Sequence, residues 1–340
     1  MNSAGTILSV SPPFAIAGGE ITIECEGFHL DPDLDHGAFV NGMRCRLVAA
    51  SANRIVATVP DCSPGEAYIH LESGGNESPT ADIVIGEKIA DEMHIVANPA
   101  VDPSDGAIIV TRSGARGQQL PNTLYRIEPD GFIDEIPDAI LNPTGIAFGP
   151  DGSMYVTNRA HGEVYLVSPS GINPVYARGL GIATGLAFDA DGVMFVGDRT
   201  GTIYRVPSAG EAEEFATLEP SVAAYHLAFG PDGRLFVSAP GLASHDAIYV
   251  VDTAGNVEKF AVGFGRPQGI AFGRDGQLYA AACYAGRRGI FSISPDALAV
   301  RQIVAGMNIV GLCFTTDARL IAATNEAVYS INADIRGTLL

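Results

Sequence analysis

Two groups of side chains in this 340-residue chain have the types and the spacing for chemistry. The first is a single imidazole. A phrase that recurs six times carries Pro99, Gly145, Gly185, Gly269 and Gly311 at one position, but His226 in its fourth copy. A titratable ring where every other copy is small suits a general acid–base or a ligand donor. The alternative is a plug whose nitrogen is satisfied by a backbone carbonyl. His226 is therefore the catalytic candidate, with Tyr225 beside it.

The second group gathers arginines at the ends of equivalent segments: Arg112, Asn158-Arg159 and Asp198-Arg199, with Arg116, His161, His245, Asp246, Arg266, Arg287 and Arg288 on nearby connections. Guanidinium forks hold carboxylate or phosphate through paired hydrogen bonds. The ligand-binding candidates are Asn158, Arg159, Asp198, Arg199, Tyr225, Arg112 and Arg287. The competing reading pairs each arginine with an aspartate or carbonyl of its neighbour.

Other motifs carry less. Asp31, Asp33 and Asp35 alternate like calcium-loop ligands, but His36 and Gly42 stand where that loop needs Gly and Glu. They read as a solvated acidic loop, and no metal site is assigned. Cys283 is a lone thiol near Arg287, and lone thiols are usually packed. There is no GxSxG elbow, HExxH, CxxC or phosphate-cradling loop.

The elements that must position these groups are written in the repeat. TGIAFGPDGSMYVTN (144–158) returns as TGLAFDADGVMFVGD (184–198), YHLAFGPDGRLFVSA (225–239) and QGIAFGRDGQLYAAA (268–282), with weaker copies at 98–112 and 310–324. The turn aspartates fall at 105, 151, 191, 232, 275 and 317, a period of roughly 40 to 46 residues. Each copy reads as strand A, a PDG turn, strand B, and two further strands C and D. Such units are propeller blades, and six copies predict six blades with strand A innermost, where Gly and Ala let backbones crowd. The start of A and the end of B then meet on one face, which brings the two groups to one mouth. Either 86–92 or 334–340 must close the ring, and the former is preferred.

Residues 1–87 read as a separate unit. In Gly18–Phe28 the side chains of Ile21, Ile23 and Cys25 alternate with polar ones, and Asn41-Gly42 separates two strand-like runs as a tight hairpin turn does. Seven or so short strands in this length predict an immunoglobulin-like β-sandwich. The whole is all-β: a sandwich over 1–87, then a six-bladed propeller over 88–340.

Composition bounds the partners. The 40 Gly and 21 Pro fit many tight turns, and a net charge of −19 repels phosphate backbones, so neither nucleic acid nor an anionic membrane is expected. The start, MNSAGTILSV, lacks the basic and apolar regions of an export signal, and the five Cys are odd in number. A cytoplasmic protein with reduced thiols is expected, with Cys25 and Cys45 able to pair only if a leader has been lost.

The GGEITIECEGF opening, the ATVP strand (57–60) and the strand near Ile83 resemble the IPT/TIG domain. The PTGIAFGPDGSMYVTN phrase resembles NHL-repeat propellers and the gluconolactonase and streptogramin-lyase group. That resemblance implies lactone or ester hydrolysis, or lyase chemistry, with a divalent ion held by carboxylates four residues before the strand-A aromatic. Here that column is Asn98, Thr144, Thr184, Tyr225, Gln268 and Val310, without a carboxylate. A divalent cation is thus weakly supported and no cofactor is predicted. The expectation is a binding or scaffolding protein whose propeller mouth takes a small anionic or sugar-like molecule or an acidic peptide, with the sandwich as a docking module. Whether it catalyses stays open.

Overall fold

The computed structural model of the chain describes residues 4–338, apart from 29–34, 115–119, 121, 138–139, 169–172 and 243–244. Every regular element among the described residues is a β-strand. Glu87–Ala90 and the strands from Ala100 onward fall into six four-stranded antiparallel groups, and the innermost strand of each touches that of the next. Those inner strands are Ala100–Val101, Pro143–Phe148, Ala183–Phe188, His226–Phe229, Ile270–Phe272 and Ile309–Phe314. The last touches the first, so the six blades form a ring.

The recurring phrase encodes the contact between neighbouring blades. Each strand-B aromatic meets the strand-A Phe of the next blade nearly edge to face: Tyr155 with Phe188, Phe195 with Phe229, Phe236 with Phe272, and Tyr279 with Phe314, with centroids 4.9–5.2 Å apart. Such pairs add roughly 0.5–1.5 kcal/mol each beyond the area they bury. Between every two blades lies its own apolar cluster, so the ring has six wedge-shaped cores rather than one. The PDG turns divide their labour between glycine and aspartate. Only the glycines take positive φ (77–80° at Gly152, Gly192, Gly233 and Gly276), while carboxylates such as Asp151, Asp232 and Asp275 accept the backbone N–H two residues on.

Closure comes from the segment before the first blade. Glu87–Ala90 pairs antiparallel with Val328–Asn332 and becomes the outer strand of blade six. Residues 334–338 instead run to the turn of blade five, where Gly337 bridges Gly273.

The N-terminal part is two facing sheets with one core. Thr6–Ser11, Glu20–Glu26, Arg54–Thr58 and Arg46–Ala50 form one sheet; the other contains Phe14–Ala15, Ala81–Ile85, Gly65–Ser73, His36–Val40 and Met43–Arg44. Ile21, Ile23 and Cys25 point into that core, and Asn41 and Gly42 both take the positive φ of a tight hairpin turn. Asp35 pairs with Arg44 at 2.8 Å, while Asp31 and Asp33 lie outside the described residues. The five cysteines are unpaired, Cys25 and Cys45 included.

One junction is invisible in the pattern. Phe14–Ala15 pairs in parallel with Val304–Ala305, the outer strand of blade five, so a sandwich sheet continues into the ring. Ile16 donates its N–H to Ala305 O and buries its side chain among blades five and six. Gly19 faces the same carbonyl so closely that a Cβ there would lie 2.3 Å from it. Only glycine fits.

Candidate functional site

Strand B of blades two and three ends in Asn158 and Asp198, both almost fully buried. Their side chains fold back on the following turn. Asn158 Oδ1 accepts the N–H groups of Ala160 and His161; Asp198 Oδ1 accepts those of Ile182 and Thr200, and the Thr200 hydroxyl donates to its other oxygen. These two candidates shape the loops rather than offer free atoms to a ligand. Asp246 does the same in blade four, accepting from Gly241 and Arg266.

What the turns present is the residue after each. Arg159 and Arg199 are half-buried at equivalent positions of adjacent blades. Burial, and then the charge of Arg199, hold the Arg159 guanidinium below the usual arginine range. Among the described residues neither guanidinium has a carboxylate partner. Arg112, one blade earlier, is turned inward: its Nη1 donates to Tyr125 OH at 3.1 Å, its guanidinium lies 5.9 Å from that ring, and its buried Nε has no partner. Arg287 lies across the ring, on the hairpin of blade five opposite Tyr284. Arg116 lies outside the described residues.

Tyr225 is wholly buried, its hydroxyl donating to Glu219 O and its N–H to Thr184 Oγ1 at 3.0 Å. Burial raises its pKa. It helps close the mouth and does not line an open one. Asn98 adds to the closure by reaching across two blades: Nδ2 donates to Ile270 O at 2.9 Å and Oδ1 accepts from Leu312 N at 3.0 Å. In the column where the resemblance seeks cation ligands, Asn98, Thr184 and Tyr225 thus tie blades together, while Thr144 Oγ1 is buried without a partner.

His226 sits just inside this closed end, 4% exposed. Burial pulls its pKa down to about 4, and Nε2 has no hydrogen-bond partner. Among the described residues neither the carbonyl foreseen for a plug nor the orienting partner that a general base needs is bonded to Nε2.

Beyond His226 a channel of about 670 Å³ runs along the ring axis. Its wall carries one small apolar side chain per blade, Val101, Ala147, Ala187, Ala228, Ala271 and Cys313, all half-buried. It extends to the PDG turns of the opposite face at Ser104, Asp151 and Asp189. The repeat contained this column, the residue before each strand-A aromatic, but its small residues read only as a condition for crowding. A second unforeseen group lies on the sandwich: His70, Glu72 and Glu77 have ligand-type atoms within 4.8 Å of one another, with His70 Nε2 3.1 Å from Glu72 Oε1. Among the described residues no helix is long and apolar enough to cross a membrane.

No protein-family model matches the chain, and no curated protein matches it. Solved structures do. An auxiliary nutrient binding protein from Bacteroides ovatus is 12% identical, with 96% of this chain and 97% of that one covered and a TM-score of 0.55. A gluconolactonase from Xanthomonas campestris is 18% identical over 72% of this chain and 88% of its own, with a TM-score of 0.59. Virginiamycin B lyase from Staphylococcus aureus is 15% identical over 72% and 97%, with a TM-score of 0.52. Identities this low speak for architecture alone, and the architecture they share with this all-β chain is the β-propeller.

Proposed function

We propose that the protein is a binding module whose arginine-bearing mouth takes a small anionic molecule, a sugar acid or an acidic peptide segment. In this reading residues 1–87 are an immunoglobulin-like, IPT/TIG-type docking unit and residues 88–340 a six-bladed propeller of NHL type, in a cytoplasmic protein. The observation that carries it is the Arg159–Arg199 pair: two half-buried cations side by side, without a carboxylate for either among the described residues. Holding like charges together out of bulk water is unfavourable, and a bound anion relieves both the repulsion and the lost hydration. Asn158 and Asp198 support the site by fixing the turns from which the guanidiniums extend. The nutrient-binding neighbour, similar over nearly the whole chain, is in keeping with a binding role.

Hydrolysis or lyase chemistry of the gluconolactonase or streptogramin-lyase type is the second reading, favoured by the fold likeness. It is the weaker one, because His226 is buried and nothing among the described residues hydrogen-bonds to its Nε2 to orient the ring. Calorimetric titration of the full chain with phosphate, citrate and glucuronate at low salt separates the two. Binding that falls at least tenfold in both Arg159→Ala and Arg199→Ala supports the module. Absence of millimolar binding by every anion, or turnover of a lactone that His226→Ala abolishes, would overturn it.

A further inference from the structure

The axial channel is a second site, distinct from the arginine mouth and different in chemistry. Side chains alternate across a strand, so His226 projects on the same face as Ala228, two residues on. The imidazole thereby occupies the floor, in the layer where the other blades have Pro99 or glycine, and the six small wall residues stand above it. On the mouth side of that layer the channel is lined by strand-A backbone and apolar side chains out to the turns at Ser104, Asp151 and Asp189.

Three features define an occupant. The volume, about 670 Å³, lies within the roughly 300–1,000 Å³ usual for small-molecule sites. The lining holds no lysine or arginine, and its charged groups at the mouth are the carboxylates Asp151 and Asp189, so an anion is repelled where the arginine mouth attracts one. Among the polar residues lining the floor is the buried His226, whose Nε2 has no hydrogen-bond partner among the described residues, so the ring's hydrogen-bonding capacity is not spent on the protein.

We propose that this channel binds a small uncharged molecule, mostly apolar and carrying one hydroxyl or N–H group, which enters between the PDG turns and donates its hydrogen to the His226 imidazole. The wall of small side chains sets the width, so a flat ring system fits better than a branched one. The inference stands apart from the anion reading, because the two sites open on opposite faces and share no side chain.

The test uses the full chain and three probes of one shape: 2-naphthol, naphthalene and 2-naphthoate, followed by fluorescence at neutral pH. The expected order is 2-naphthol tightest, naphthalene weaker and 2-naphthoate weakest. Filling the wall with Ala271→Phe, or independently Ala147→Phe, should reduce 2-naphthol binding at least tenfold in protein whose circular dichroism melt stays cooperative. His226→Leu should weaken 2-naphthol about tenfold and leave naphthalene unchanged. Arg159→Ala should alter none of the three. Equal or tighter binding of 2-naphthoate, no binding of 2-naphthol, or 2-naphthol binding indifferent to both wall variants would overturn the proposal.

Discussion

Thr157 Oγ1 joins two blades: it accepts the N–H of Gly145 in its own blade at 2.8 Å and donates to Thr184 O of the next at 3.3 Å. Thr111 and Ser238 donate in the same way to Thr144 O and Gln268 O. A hydroxyl at this one position of strand B thus stitches the inner strands around the closed end. Thr157 is fully buried, so Thr157→Val keeps its shape but strands a backbone N–H. The expected loss is about 1–3 kcal/mol in urea unfolding at unchanged m-value. A loss under a few tenths would show that the inter-blade bond carries no weight.

Gly19 tests the junction between sandwich and ring. An added methyl would run into Ala305 O, so Gly19→Ala must push the sandwich off blade five. The expected result is a split of one thermal transition into two, with new protease sensitivity near residues 86–92. A single unshifted transition would mean that the parallel pairing with Val304–Ala305 does not couple the parts.

Closure depends on Glu87–Ala90. A chain starting at residue 94 leaves Val328–Asn332 as an open strand edge, the hazard that closed rings avoid. It is expected to aggregate on refolding, whereas a chain starting at residue 86 retains the pairing. Sedimentation velocity of the two distinguishes them, and a monodisperse short form would refute the assignment.

His226 predicts a particular acid sensitivity. Its pKa is lowered from 6.5 to about 4 by burial, so the unfolded chain takes up a proton at a higher pH than the folded one. The folded state is therefore favoured fully above about pH 6.5, and that advantage is lost as pH falls toward 4, by about 3 kcal/mol. His226→Leu should flatten the decline of stability between these pH values relative to the wild type. Parallel curves would show that the ring protonates equally in both states.

For the arginine mouth, charge and shape separate. Arg199→Lys keeps the cation but loses the fork, so citrate affinity should fall several-fold with its salt dependence nearly intact. Arg199→Ala should lose affinity and salt dependence together. Identical behaviour of the two variants would leave only a diffuse electrostatic attraction.

How much was legible beforehand follows from the physics of repetition. The blade phrase carries its own interfaces, because an aromatic after the turn and an aromatic before it meet at four of the six junctions, as at Tyr155–Phe188 and Phe236–Phe272. Strand alternation, turn glycines and the ring-closing need all follow from local rules, and of the two candidates they offered, 86–92 and 334–340, the preferred first one holds the closing strand Glu87–Ala90. The arginine column was readable too, since equivalent repeat positions land at equivalent places. What repetition does not encode is where a side chain is consumed. Asn158 and Asp198 look like ligand donors until their oxygens are seen capping turns, and Asn98 until it is seen bridging to Ile270 and Leu312.

By itself, then, the chain's pattern determined the all-β architecture, the six repeats and the address of its unusual residues, because those depend on periodicity and neighbours within a few positions. Only the tertiary structure decided which of those residues remain unpaired. Among the described residues Arg159 and Arg199 are left without a carboxylate, and His226 lines an apolar channel, because their partners would have had to come from other blades. Such long-range pairing depends on the depth and tilt of packed sheets, which no local spacing records. The docking of Phe14–Ala15 onto Val304–Ala305, nearly three hundred residues away along the chain, is another outcome of this kind.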